Sequence, residues 1–218
     1  AILKKHGLPL SGWEEIGLRK TRLDGRPKMI PNPDFGARGW RAYVWNNTVG
    51  GGAEDLPYRL ANAGYEVVLC PVSNLYLDMA WNQNPEERGL DWGGYVDLRK
   101  PYEFIPFDYY RNARYDGRGR PVDRSVFAGK DRLTEFGQSK IVGIQGNLWS
   151  ETLNAPGKLD HKLLPKLIAL AERACLEHNR GGLPFHGLGR RPGRDVAHQV
   201  LEPVRLVRRL VAADARDA

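Results

Sequence analysis

Cysteine is scarce in this sequence, and long apolar runs are absent. Its 218 residues include two cysteines, Cys70 and Cys175, and neither belongs to a Cys-x2-Cys pair of the kind that binds zinc. Two are too few for a disulfide framework, so both are interpreted as buried thiols. No apolar run approaches the length needed to cross a membrane. We therefore expect no disulfide scaffold, no metal or other cofactor, and no membrane partner.

Acidic residues are outnumbered, but the excess of positive charge is not concentrated in one strong cluster. Lys and Arg total 33 against 26 Asp and Glu, a formal net charge of +7. The most basic segments, Arg111–Arg120 and Gly187–Arg194, are rich in glycine and are read as solvated loops. Nucleic-acid binding needs a clustered basic patch. No nucleic-acid partner is expected, and such a role ranks last among the alternatives.

Apolar strands alternate with helical segments in an order typical of an α/β protein. A strand, a helix that ends at Gly64 and a second strand follow one another with short connections, which predicts parallel pairing. Residues 19–39 are rich in Arg, Gly and Pro and predict a loop. The predicted strands are Leu10–Ile16, Arg41–Asn47, Tyr65–Val72 and Ile141–Leu148.

The C-terminal part begins with an amphipathic helix predicted over His161–His178. Its composition changes after Cys175, because residues 176–218 contain no Lys, Trp or Tyr. We predict a domain over residues 1–175 and a divergent tail over 176–218, formed by coil and a short helix at Pro203–Ala213. Six apolar residues are expected on or near one face of the long helix: Leu163, Leu164, Leu167, Ile168, Ala171 and Cys175.

Tryptophan recurs where the predicted strands end. Trp13, Trp45 and Trp149 follow three strands, and Tyr76 and Asp78 follow the fourth. α/β folds build active sites at such ends. If the strand that starts at Ile141 continued, Trp149 and Glu151 would share one side of it, because side chains two apart point the same way. An aromatic face beside a carboxylate is suited to stacking a sugar ring and accepting its hydroxyl groups, although a buried strand with an incidental Glu has the same pattern.

Several motifs carry a resemblance to a known family. The segments GWEEI, YVWNN, YLDMAWNQNPEERGLDWGGYVD, GNLWSE and ALAERA resemble the second half of the catalytic domain of family 20 glycoside hydrolases, the β-N-acetylhexosaminidases, and above all bacterial chitobiases. The resemblance implies a partial (β/α)8 TIM barrel, with residues 1–175 equivalent to its fifth to eighth strands. It also implies a substrate, an oligosaccharide that contains N-acetylhexosamine. Members are often secreted or periplasmic.

The resemblance further implies roles for individual residues. Trp13, Trp45 and Trp149 would wall in the acetamido group of the substrate, and Tyr76 would hydrogen-bond its carbonyl oxygen. Asp78 and Glu151 would accept the 4- and 6-hydroxyl groups, and Trp92 would stack against the next sugar. In this family the acetamido oxygen itself attacks the anomeric carbon, so the reaction is substrate-assisted and retaining. The residues leave open whether N-acetylglucosamine or N-acetylgalactosamine is preferred.

Two positions depart from the family pattern. The general acid of the family is the Glu of an Asp-Glu pair, and no Asp-Glu dipeptide occurs in this sequence. Cys175 stands where the family usually has Trp. We expect a fragment of a β-N-acetylhexosaminidase that is inactive alone and that self-associates or pairs with the missing half-barrel. The alternative is a non-catalytic N-acetylhexosamine-binding module or pseudoenzyme.

Overall fold

The computed structural model describes residues 2–23 and 25–179. Within this part the chain forms two compact units, one from residues 2–72 and 105–145 and the other from residues 73–104 and 146–179. The strands are β1 (Ser11–Trp13), β2 (Leu18–Leu23), β3 (Arg26–Pro31), β4 (Arg41–Val44), β5 (Glu66–Leu69) and β6 (Ile141–Ile144). The α-helices are α1 (Ile2–Lys5), α2 (Leu56–Asn62), α3 (Val72–Leu75), α4 (Arg99–Tyr102), α5 (Glu135–Gln138) and α6 (Pro156–Asn179). Short 3-10 turns cover Glu14–Gly17, Gly36–Arg38, Tyr109–Asn112 and Arg124–Phe127.

A parallel sheet forms the centre of the first unit. Its strand order is β1-β4-β5-β6, and all three pairings are parallel. Ala42, Val44, Val67 and Leu69 are fully buried, as expected for parallel strands covered on both faces. The predicted strand, helix and parallel strand are confirmed as β4, α2 and β5. Gly64 follows α2 and has a positive φ of 91°. Glycine adopts this conformation at the end of a helix without steric cost, because it has no Cβ atom.

The loop predicted over residues 19–39 is wrong, because β2 and β3 form an antiparallel hairpin there. The register pairs Leu23 with Arg26, and Gly25 between them has φ of 75°. The sequence Asp24-Gly25 is itself a strong signal for a two-residue hairpin turn. Composition rich in Arg and Pro obscured that signal.

Helix α6 is confirmed as a long helix, but its leucine pattern does not identify its buried positions. Leu164 and Leu167 are 52% and 44% exposed, whereas the buried positions are Lys162, Lys166, Ala169 and Glu172. The leucine pattern misled because two of the buried positions are lysines whose ammonium groups find acceptors inside the second unit. A buried charge is tolerated when it is hydrogen-bonded.

Strand β6 is shorter than predicted. It ends at Ile144, and an isolated parallel bridge follows between Tyr76 and Asn147. Trp149 and Glu151 therefore lie in the loop before α6 and not along a continuous strand. Gly146 lies two residues beyond the strand, at a point where a Cβ would come within 2.8 Å of the Leu170 side chain.

Two further expectations have different outcomes. Cys70 is fully buried, as predicted. The side chain of Cys175 and the whole tail from residue 180, including the predicted helix at Pro203–Ala213, lie outside the described residues. In the part that the structure describes, none of the helices has the length and apolarity to span a membrane.

Candidate sugar-binding site

Three aromatic rings gather in the second unit. The ring of Tyr76 lies 6.1 Å from the ring of Trp149 and 6.2 Å from that of Trp92. Tyr76 is buried, whereas Trp149 and Trp92 are 40% and 50% exposed. Large aromatic rings that stay exposed beside a buried phenol form a surface on which an apolar ligand face can stack.

Backbone hydrogen bonds align the two segments that carry the predicted site residues. The N–H of Leu77 donates to the Asn147 carbonyl at 2.7 Å, and the N–H of Asn147 donates to the Leu75 carbonyl at 2.8 Å. This pairing brings the neighbours of Leu77, Tyr76 and Asp78, close to Trp149. The strand-like bridge thus assembles in space residues that are more than 70 positions apart in the sequence.

Asp78 is the buried carboxylate of this cluster. Only 2% of the residue is exposed, and its Oδ1 atom has no hydrogen-bond partner among the described residues. Burial raises the pKa of Asp78, a hydrogen bond from the Trp149 backbone N–H opposes the rise, and the negative charge of Glu151 adds to it. A buried acceptor without a donor is costly, and a ligand hydroxyl would satisfy it.

Two lysines of α6 donate hydrogen bonds to the backbone next to Asp78. The Lys166 Nζ atom donates to the backbone carbonyls of Leu77 at 2.9 Å and Met79 at 3.2 Å. Lys162 also donates to the Met79 carbonyl, at 3.2 Å, and pairs with Glu87. Neither lysine was predicted as a functional residue. The one local signal was their spacing of four on one helix, which places both side chains on the same face.

Backbone hydrogen bonds to one residue, Ala80, hold both ends of the segment that carries Trp92. Ala80 donates its N–H to the Leu90 carbonyl and accepts the N–H of Val96, each at 2.9 Å. A Cβ on Gly89 would come within 2.7 Å of the Ala80 nitrogen, so the close approach requires glycine there. Trp92 therefore projects from a short span between two anchored points.

The other two predicted aromatic residues lie in the first unit. Trp13 ends β1, is 37% exposed and has its ring 6.3 Å from that of Tyr43. Trp45 follows β4 directly, and its backbone N–H donates to Glu14 Oε2 at 2.8 Å. Adjacent parallel strands thus end in these two tryptophans.

Glu14 was not predicted as a functional residue. It is 3% exposed, and burial is the main cause that raises its pKa to about 7, although the Trp45 N–H opposes the rise. A cavity of about 690 Å³ opens beside Glu14 and Trp45, and charged groups of both signs line it. Those charged groups include Glu15, Lys28, Asp55, Arg59, Lys130 and Asp131.

The predicted site residues thus form two groups. The second unit brings together Tyr76, Asp78, Trp92 and Trp149, with Glu151 close enough to affect Asp78. The first unit holds Trp13 and Trp45 at neighbouring strand ends. Among the described residues no cluster of His, Cys, Asp and Glu is suited to a metal ion.

Comparison with known proteins identifies the class. The model of the family described as "Glycosyl hydrolase family 20, catalytic domain" matches residues 1–177. The chain therefore belongs to glycosyl hydrolase family 20, and the resemblance noted in its motifs is confirmed at the level of the family.

Individual relatives share this membership. Over 175 residues the chain is 32% identical to a β-hexosaminidase of Vibrio vulnificus, which covers 79% of this chain and 19% of the relative. It is 28% identical over 177 residues to the N,N'-diacetylchitobiase of Vibrio harveyi, with coverage of 79% and 18%. The chain spans about a fifth of the length of these curated relatives.

Solved structures agree on the fold. An inactive variant of the family 20 exo-β-N-acetylglucosaminidase of Vibrio harveyi superposes with a TM-score of 0.51 at 27% identity, covering 79% of this chain and 20% of that one. The same enzyme in complex with N-acetylglucosamine gives a TM-score of 0.52 at 23% identity, covering 96% and 25%. The α/β fold with a parallel sheet is consistent with these neighbours.

Proposed function

We propose that this chain is part of an exo-acting β-N-acetylhexosaminidase and supplies the part of its catalytic domain that holds the terminal N-acetylhexosamine. The observation that carries the proposal is the buried Asp78, with an unpartnered oxygen, beside the rings of Tyr76 and Trp149. The names of the relatives, β-hexosaminidases and a chitobiase, support the same substrate class. They do not favour a non-catalytic binding module.

The proposed roles are those that the family resemblance implies, and the chemistry of each side chain suits them. Trp149 forms an aromatic wall beside the acetamido group, while Asp78 and Glu151 accept the 4- and 6-hydroxyl groups. The phenol of Tyr76 donates to the acetamido carbonyl oxygen and so directs that oxygen toward the anomeric carbon. Trp92 stacks against the next sugar. From the resemblance, Trp13 and Trp45 also contact the acetamido group.

The family resemblance implies that the reaction uses an Asp-Glu pair to supply the general acid, and no such dipeptide occurs in this sequence. When the acetamido oxygen attacks, the bond to the leaving sugar breaks and its oxygen must receive a proton. Because no Asp-Glu dipeptide is present, we propose that this chain alone has little or no hydrolase activity. Loss of a general acid lowers the rate by about 10²–10⁴-fold.

Sugar binding and turnover can be tested on the same preparation. In calorimetric titrations the chain should bind N-acetylglucosamine and not glucose, and Trp149→Ala or Asp78→Asn should weaken binding at least about tenfold, since each removes a central contact. Tyr115→Ala, which changes an exposed aromatic residue of the first unit, should bind normally. An aryl N-acetyl-β-glucosaminide should not be hydrolysed.

The outcomes separate the alternatives. Equal binding of glucose and N-acetylglucosamine would contradict the proposed substrate class. Robust release of the aryl group would contradict the proposed lack of activity. A parallel titration with N-acetylgalactosamine determines which 4-epimer is preferred.

We also propose that the sheet is half of a (β/α)8 barrel, over residues 1–175, with 176–218 as a separate tail. The four parallel strands support it, as do the positions of Trp13 at the end of β1 and Trp45 directly after β4, since barrel enzymes build their sites at those ends. Within the described residues β1 and β6 each pair on one side only. Open edges of this kind favour pairing with other chains.

Self-association, or pairing with the missing half-barrel, is the expected consequence. Light scattering after size exclusion should show a mass that rises with concentration. Replacing the exposed Leu164 and Leu167 of α6 with Gln should reduce that rise, because it removes apolar surface. Phe136→Gln is the control and should not, because it removes a single exposed ring from α5 and not a pair of neighbouring apolar side chains on one helix. A constant monomer mass at every concentration would contradict the proposal.

A further inference from the structure

Lys166 contacts the backbone that carries Asp78 but is not among the predicted site residues. It is fully buried on α6, and its ammonium group donates to the carbonyls of Leu77 and Met79, the two residues that flank Asp78. Its Nζ atom also lies 4.8 Å from the centre of the Trp81 ring. A fully buried lysine is rare unless its hydrogen-bonding groups are satisfied. Here its hydrogen bonds go to the backbone on both sides of one carboxylate.

We propose that Lys166 is a positioning residue for Asp78, which fixes the backbone around that carboxylate and keeps it ionised for the sugar. The expected effect on sugar affinity rests on the proposed function. The expected effect of Lys166 on the titration of Asp78 can be tested without a sugar. Asp78 accepts hydroxyl groups best as a carboxylate, because the ionised form has only acceptor sites. Burial works against that form.

The charges around Lys166 are mixed. Burial is the largest cause that lowers the pKa of Lys166 to about 7, and the positive charge of Lys162 on the same helix lowers it too. Three carboxylates oppose the change: Glu87, Asp78 and Asp97. Lys162 is itself paired with Glu87, and His161 lies 3.3 Å from that same carboxylate.

The two forms of Lys166 serve Asp78 differently. Even the neutral amine retains two N–H groups, one for each of the two carbonyls, so the backbone contacts survive deprotonation. The charged form adds an attraction that lowers the pKa of Asp78. This attraction is present in the acidic range, where Asp78 would otherwise become protonated, and fades as the pH rises past about 7.

Replacing Lys166 with Met tests the proposal, because it retains the length of the side chain and removes both the charge and the donors. Carbon-detected NMR of the carboxyl groups, with Asp78 assigned through Asp78→Asn, should show the titration midpoint of Asp78 about one pH unit higher in Lys166→Met. Calorimetry should show a weaker affinity for N-acetylglucosamine at pH 5 by about tenfold and a smaller loss at pH 8.

Lys162→Met is the matched control. Its lysine also reaches the Met79 carbonyl but pairs with Glu87, so it should move the titration of Glu87 and leave that of Asp78 unchanged. An unchanged Asp78 midpoint in Lys166→Met would overturn the proposal, as would an equal loss of affinity at both pH values, which indicates a purely structural role.

A reciprocal measurement covers the case in which Lys166→Met does not fold. In Asp78→Asn, which retains the shape of the side chain, the titration midpoint of Lys166 itself should fall, because an attractive charge has been removed. No change there would overturn the coupling. If the native chain binds no N-acetylglucosamine at all, the proposed function fails, while both titration measurements still decide whether Lys166 and Asp78 are coupled.

Discussion

Glu14→Gln is expected to stabilise the protein by about 3 kcal/mol at pH 8 and to change its stability little at pH 4. Burial raises the pKa of Glu14 from 4.5 to about 7, and each unit corresponds to about 1.4 kcal/mol. Because the folded pKa is higher than the unfolded one, the stabilising contribution is fully present below pH 4.5 and is lost as the pH rises to about 7. Glutamine mimics the protonated form at every pH.

Urea unfolding at pH 4, 6 and 8 measures this difference. The amide oxygen of glutamine can still accept the Trp45 N–H, so the local contact is retained. Glu86→Gln, a change of an exposed glutamate in the second unit, should leave the pH dependence of stability unchanged. A Glu14→Gln protein that is less stable than the native one at pH 8 would show that the carboxylate, not the acid, is the favoured buried form.

Glu54→Gln is expected to have the opposite effect and to destabilise the protein by about 3 kcal/mol at pH 7. Glu54 is 1% exposed, accepts the N–H of Gly50 at 2.6 Å and forms an ion pair with Lys130 at 2.5 Å. Burial is the largest single cause and disfavours the charge of Glu54, but the hydrogen bond and charge of Lys130, together with the backbone N–H groups of Glu54 and Gly52, outweigh it and lower the pKa of Glu54. Glutamine leaves the Lys130 ammonium group without its counter-charge.

The pH dependence distinguishes this effect from a loss of shape. Since the folded pKa is lowered, the contribution of Glu54 is present above pH 4.5 and is lost as the pH falls through the folded value. The native protein and Glu54→Gln should therefore converge in stability in acid. Glu66→Gln breaks the half-exposed pair with Arg41 and should cost less than about 1 kcal/mol. If Glu54→Gln and Glu66→Gln lowered the free energy of unfolding equally, the assigned difference in burial between the two ion pairs would be contradicted.

The sheet was predictable because local pattern and burial agree in it. The runs around β4 and β5 are apolar enough to be strands in any fold, and the short helix between them leaves only parallel pairing. The hairpin was missed although Asp24-Gly25 signals it, since the flanking strands contain too many charges and prolines to look like a sheet. The hydropathy pattern of a sequence therefore predicts buried strands more successfully than exposed strands.

Helix α6 shows a different limit. Its leucines suggest an inward face, yet Lys162 and Lys166 are the residues that are buried. The acceptors that stabilise them are carbonyls of Leu77 and Met79, more than 80 residues away in the sequence. No periodicity within the helix contains that information, because the energy of a buried charge depends on partners that only the fold supplies.

The aromatic residues of the proposed site could be predicted because their positions carry a local signal, whereas the contacts that hold them in place could not. Trp13, Trp45 and Trp149 follow apolar runs of the sequence. The expectation that Trp149 and Glu151 lie along a strand failed, because β6 ends at Ile144. The bridge between Tyr76 and Asn147 performs the alignment that a longer strand would have provided.

The double attachment at Ala80 has a consequence for how the proposed second sugar is recognised. Asp91–Tyr95 spans two fixed points, and a further turn within it joins the Gly94 N–H to the Asp91 carbonyl. A span this short leaves the backbone that carries Trp92 little room to close over a bound sugar as a lid. Under the proposed function an oligosaccharide would therefore dock on Trp92 without first ordering a loop, and the entropic penalty of association would be correspondingly small.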